Sequence, residues 1–310
     1  MSKWVSSTLA LLVSVLTFYG CGGGGQQGAV PRNRTFIADC SSQGDCSGQF
    51  KDYASFNPFL LAGTTKTGWN FVYEPLYFYN AYAEGGDNII PWIATGHEYN
   101  SDYTEVTVSI RKGVEWSDGQ PWTAHDLVFT INMLKDHAPS LSFSTDMKAW
   151  VKNATAVDDY TAQIELTASN PRFIFSYFTN NFDNGIPIMP KHIWEGKDPE
   201  SFSNFDLAQE WPVVSGPYKM AISSPQQRVW DVRSDWWAAK IGFRELPKVE
   251  RLIYLPYMEE SKRVQNIIAN AMDTSLDLRP PNIKSIIDAN PGVSTWTGKD
   301  LPLGYLDWWP

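Results

Sequence analysis

Apolar residues alternate in some stretches of the chain and recur at helical spacing in others, with no internal repeat. Thr104-Glu-Val106-Thr-Val108-Ser-Ile110 alternates strictly, which predicts a half-buried strand with Val106, Val108 and Ile110 facing inward. Ala162, Ile164 and Leu166 predict a second strand, and Arg34 to Asp39, Arg228 to Val232 and Val249 to Leu255 read as three more. Thr123-Ala-His-Asp126 has capping-box spacing ahead of Leu127, Val128, Ile131 and Leu134, so a helix should start at Thr123 and end before Pro139. Asn170-Pro171 opens a short helix through Phe173 to Phe178, and Val264, Ile267, Ile268 and Ala271 mark Met258 to Met272 as an amphipathic helix. Phe56-Asn57-Pro58-Phe59 and Asp118-Gly119 read as turns. Strands and helices mixed in this way give an α/β (mixed α and β) fold class rather than a bundle or a sandwich.

Composition narrows the function. A chain of 310 residues is long enough for about two domains. Only 19% of residues are charged, against about 25% in ordinary domains, while 14 Trp, 14 Tyr and 16 Phe supply a large aromatic surface suited to gripping a neutral solute. The net charge of −9 without a basic run makes nucleic acid and anionic membrane surfaces poor partners. Four scattered His and three Cys leave little for a metal site, and no cofactor is implied.

The amino terminus reads as a targeting segment. Lys3 precedes an apolar run from Leu9 to Tyr19, too short for a comfortable membrane span, followed by Gly20 and Cys21. Residues 1–21 resemble a bacterial lipoprotein signal in which Cys21 is lipidated after cleavage, with Phe18 where Leu is usual. Ordinary secretion and a retained anchor are the other readings. Residues 22–33, rich in Gly, would be a tether.

Six short blocks then follow in order. They are Tyr73-Glu-Pro-Leu76, Ile90-Pro-Trp-Ile-Ala94, Ile110-Arg-Lys-Gly-Val-Glu-Trp-Ser-Asp-Gly119, Pro121-Trp-Thr-Ala-His-Asp126, Val214-Ser-Gly-Pro-Tyr-Lys219 and Arg233-Ser-Asp-Trp-Trp237. Together they resemble the family 5 extracellular solute-binding proteins, receptors of ABC importers for oligopeptides, dipeptides and oligosaccharides. The resemblance covers about Arg34 to Asp277. It implies a periplasmic binding protein-like fold of type II: two lobes around a cleft, with an additional subdomain in lobe I. Residues 34–276 would form lobe I with its inserted subdomain, and 277–310 the start of a truncated lobe II. The expected protein is exported, held by its lipid at the outer face of the cytoplasmic membrane or in the periplasm, monomeric, and a partner of ABC permease subunits. With most of one lobe missing, the 310-residue product alone should bind its ligand weakly or not at all.

Within that family, aromatic excess favours an oligosaccharide over an oligopeptide, because a pyranose presents C–H faces that bury well against Trp or Tyr. Phe56-Asn-Pro-Phe59 and Tyr73 to Asn80 resemble the cello-oligosaccharide branch. Trp116, Trp236 and Trp237 lie inside the blocks and read as packing residues, as do Trp92 and Trp122. Trp69, Trp150, Trp194, Trp211 and Trp296, in polar or loop-like settings, are the candidate stacking platforms. Asn57, Phe59, Asn180, Asn181 and Asp183 could supply polar and rim contacts.

Catalysis has little support. No Gly-x-Ser-x-Gly, Gly-x-x-x-x-Gly-Lys-[Ser/Thr] or His-Glu-x-x-His occurs, and His97-Glu98 lacks the second His. His125 and His192 read as surface or capping residues. A secreted carbohydrate-active hydrolase is the competing class; it would need two carboxylates across a cleft, and spacing selects no pair among Glu74, Glu98, Asp102 and Asp183.

Export bears on Cys40 and Cys46, which have five residues between them in a Gly- and Ser-rich stretch and could close a loop in an oxidising compartment. Alkylation of the unreduced protein followed by mass spectrometry should leave both unmodified; labelling of either would refute the pairing.

Overall fold

The computed structural model describes residues 30–40, 46–61, 68–83, 88–180, 185–275 and 278–294. In chain order come β1 (Thr35–Asp39), the short helix α1 (Trp69–Val72), β2 (Tyr77–Tyr79) and β3 (Ile89–Pro91). Next are β4 (Ala94–Tyr99), β5 (Glu105–Ile110), α2 (Ala124–Asp136), α3 (Ser144–Trp150), β6 (Val151–Asp158) and β7 (Thr161–Leu166). Then follow α4 (Phe173–Tyr177), β8 (Thr179–Asn180), α5 (Lys191–Trp194), β9 (Tyr218–Ser224) and β10 (Gln227–Val232). The last described elements are α6 (Trp237–Lys240), β11 (Arg251–Leu255), α7 (Glu260–Ile268) and α8 (Pro280–Ala289).

The alternating segments do what alternation dictates. Val106, Val108 and Ile110 on β5 are buried, as are Ala162, Ile164 and Leu166 on β7. The two strands pair antiparallel with Val106 opposite Ile164 and Val108 opposite Ala162, so like faces meet. This sheet runs β4-β5-β7-β6, and α2 packs across β6 and β7. Helix α2 starts where its cap predicts: the Thr123 side chain accepts from the His125 amide, and Asp126 Oδ2 accepts from the Thr123 amide at 2.8 Å. The other Asp126 oxygen accepts from the Lys191 amide at 2.8 Å, so one carboxylate serves two chain segments.

A second sheet has the order β1-β11-β10-β9, with β1 parallel to β11 and the other neighbours antiparallel. A third, small sheet runs β3-β2-β8. The predicted helix over Met258 to Met272 forms only as α7; Asn270 adopts a positive φ of 56° just beyond it, which ends the helix and leaves Ala271 exposed rather than on the apolar face. Cys40 and Cys46 are disulfide-bonded and pack with Phe50, Tyr254 and Tyr257 at the carboxyl ends of β1 and β11.

A backbone clamp joins the second sheet to α1. The Ser215 and Gly216 amides both donate to the Val72 carbonyl, at 3.0 and 2.7 Å, and the Glu74 amide donates to Ser215 Oγ at 3.0 Å. Buried Arg233 donates from Nη1 to the Val214 and Gly216 carbonyls, at 3.1 and 3.0 Å. Gly216 leaves no room for a side chain, since a Cβ there would lie 2.7 Å from the Phe71 carbonyl oxygen and 3.0 Å from the Val72 carbonyl. Gly216→Ala should therefore destabilise the chain by about 1–3 kcal/mol, measured as a lower urea midpoint at unchanged m-value.

Candidate functional site

Gly68 sets the entry to α1. Its φ is 85°, and a Cβ would lie 2.2 Å from the Trp230 ring, so only glycine lets the chain turn there against that indole. Trp69 and Tyr73, one helical turn apart, line a surface notch together with Glu74 and Pro75. Asn180, at the end of β8, lines the same notch with Gly185, Ile186 and Pro187. Trp69 and Asn180 are half-buried. Tyr73 is buried, and its hydroxyl accepts from Asn204 Nδ2 at 2.9 Å. Burial raises the phenol's pKa far enough to keep it protonated at any physiological pH.

Behind the notch lies a buried carboxylate gripped by three indoles. Glu74 Oε1 accepts from Trp92 Nε1 at 2.9 Å, and Oε2 accepts from Trp237 Nε1 at 2.6 Å and Trp236 Nε1 at 3.4 Å. Burial pushes the Glu74 carboxyl up to about 7, against the pull of the indole donors and the Arg233 charge.

Of the residues expected to bind ligand, the structure brings Trp69 and Asn180 to one site. Others it places elsewhere. Asn57 is buried and fully used: Nδ2 donates to the Pro199 and Phe202 carbonyls at 2.9 and 2.8 Å, and Oδ1 accepts from the Phe59 amide at 2.9 Å. Phe59 and Trp194 are core residues, edge to face at 6.0 Å, because apolar rings of this size bury wherever partners exist. Phe202 continues that row to half-buried Trp211. Trp150 is half-buried near Tyr177, whose hydroxyl donates to Asp146 at 3.0 Å. Cys21, Asn181, Asp183 and Trp296 lie outside the described residues. Trp116, Trp122, Trp236 and Trp237 are buried and Trp92 is half-buried, as their packing role required. Sequence reasoning missed Tyr73 and the indole cage around Glu74, although the Tyr73 block and the paired tryptophans at 236 and 237 carried the signal.

Comparison with known proteins gives a consistent family. A family model described as bacterial extracellular solute-binding proteins, family 5 Middle, matches residues 88–307. A probable peptide-binding protein of Agrobacterium fabrum is 29% identical over 201 residues, covering 61% of this chain and 30% of the relative. A peptidoglycan-binding protein of the same organism is 26% identical, covering 66% and 33%. Among solved structures, a periplasmic oligopeptide-binding protein of Thermotoga maritima superposes with a TM-score of 0.65 at 28% identity, covering 83% of this chain and 44% of that one. The same protein with bound mannohexaose gives 0.65 at 27%, covering 86% and 46%. The chain thus spans about a third of the length of these curated relatives and under half of these solved chains. The architecture is that of type II periplasmic binding proteins.

The Glu74 shift has a definite sign. A carboxyl whose folded pKa lies near 7, above its ordinary 4.5, adds stability that is complete below about pH 4.5 and is lost as pH rises to about 7. Urea melts across that window should show a decline for the native chain that is flattened in Glu74→Gln; parallel curves would show that Glu74 is not the titrating group.

Proposed function

Because the chain belongs to the bacterial extracellular solute-binding proteins of family 5, we propose that it supplies the ligand-gripping first lobe of an ABC importer's receptor, which holds an oligosaccharide without covalent chemistry. Residues 34–276 are this lobe and 277–310 lead into the second. The receptor is exported, anchored through Cys21, and hands its ligand to the permease; it carries out no reaction. One observation carries the choice of ligand. The notch is lined by the half-buried Trp69 and by Asn180, an aromatic ring and a polar amide in one site, which is what a pyranose with its C–H face and its ring of hydroxyls needs. The mannohexaose complex of the similar Thermotoga protein supports this reading.

In a two-lobed receptor, ligand settles on one lobe and is enclosed by the other, shifting an open–closed equilibrium through contacts made on both sides. A single lobe therefore retains the stacking contact but little of the affinity. A peptide ligand is the second reading, favoured by the probable peptide-binding relative.

Saturation-transfer NMR on the 310-residue chain detects such weak contact. Mannohexaose or cellohexaose should receive saturation, and Trp69→Ala should weaken it several-fold with the melting temperature unchanged. Transfer to a tri- to pentapeptide pool and not to the sugars would overturn the saccharide reading.

A further inference from the structure

The loop after α6 builds a second feature. Phe243 stacks on Trp237 with ring centroids 5.7 Å apart and meets Trp92 edge-on at 5.2 Å. Two guanidinium groups lie on these rings: Arg111 is 3.9 Å from the Phe243 centroid, and Arg244 is 4.3 Å from the same centroid and 4.9 Å from that of Trp92. Backbone carbonyls hold each in place. Arg111 Nε donates to the Trp92 carbonyl at 2.7 Å, and Arg244 Nη1 to the Phe243 carbonyl at 3.1 Å.

Neither cation has a carboxylate partner among the described residues. Glu115, the nearest acid along the chain from Arg111, pairs with Lys240, and Glu245 pairs with neither arginine. Burial, and after it the like charge of Arg244, lowers the pKa of Arg111. Two like charges held together on rigid supports, in a chain of net charge −9, form a cationic island on a repulsive background.

We propose that Arg111 and Arg244 are the landing point for an acidic segment of a partner protein, whose carboxylates accept from the guanidinium N–H groups while its apolar atoms cover Phe243 and Trp92. Arg244 is exposed and Arg111 half-buried, so a free small anion would stay hydrated there, and an exposed single pair contributes next to nothing. A polypeptide surface delivers several carboxylates at once and excludes water from the rings, which strengthens each bidentate contact. The stacked rings fix the orientation of the fork.

The test is arginine side-chain NMR on the 310-residue chain labelled with nitrogen-15 at arginine, titrated with hexaglutamate, acetate and sodium chloride at matched ionic strength. Hexaglutamate should shift the Nε–H signals of Arg111 and Arg244 saturably and well before acetate does. The charge reversal Arg244→Glu should weaken that response at Arg111 at least about tenfold, and Arg244→Gln should weaken it less, both with unchanged melting temperature. Equal shifts with acetate would overturn the polypeptide partner, and shifts no larger than those with sodium chloride, or spread evenly over all arginines, would overturn the site.

Discussion

The fold of the described residues depends on one buried carboxylate. Glu74 sits directly after α1, yet its two oxygens collect the indole N–H of Trp92, from the β3–β4 junction, and those of Trp236 and Trp237, from the start of α6. Segments leading to all three sheets converge on this side chain. Indole donors buried without an acceptor cost about 1–3 kcal/mol each, so the desolvation of Glu74 is offset by three groups that would otherwise lack a partner. The same logic explains why the sequence blocks occur as a set. The block at 73–76 supplies the acceptor, those at 90–94 and 233–237 supply donors, and the block at 214–219 clamps the carbonyl at the end of α1. Short motifs far apart in sequence are four sides of one knot.

That knot also sets the notch. Trp69 and Tyr73 project from the helix whose carboxyl end is clamped by Ser215 and Gly216, so the platform is held by backbone bonds and by Glu74 rather than by loop packing. For the ligand proposed above, a rim built this way would spare the ordering entropy that a mobile loop would lose on binding.

Elements with a clean period were legible in the sequence, and elements shaped by distant partners were not. The alternation in β5 and β7 and the capping box of α2 are local signals, and each formed within a residue or so of its expected bounds. β6 escaped notice because register shifts at Val151/Asn153 and Ala156/Asp158 break its alternation. The parallel pairing of β1 with β11 leaves no local trace at all. Of the candidate residues, Trp69, offered for its polar setting, and Asn180, offered as a polar or rim contact, line one notch. Trp194, chosen for its polar setting, and Phe59 and Asn57, offered as rim contacts, are buried instead, because neighbours along the chain say nothing about the rings of Phe59 and Phe202 that arrive from elsewhere to cover an indole.

The pairing of β1 with β11 also orders events in time. Thr35 lies in register opposite Arg251, so the earliest described strand to leave the ribosome has no partner until about two hundred further residues have followed it. Closing so large a loop is entropically costly and slow. The edge of this sheet is therefore a late step in folding, and the emerging chain stays threadable through a narrow pore for as long as β1 waits for β11.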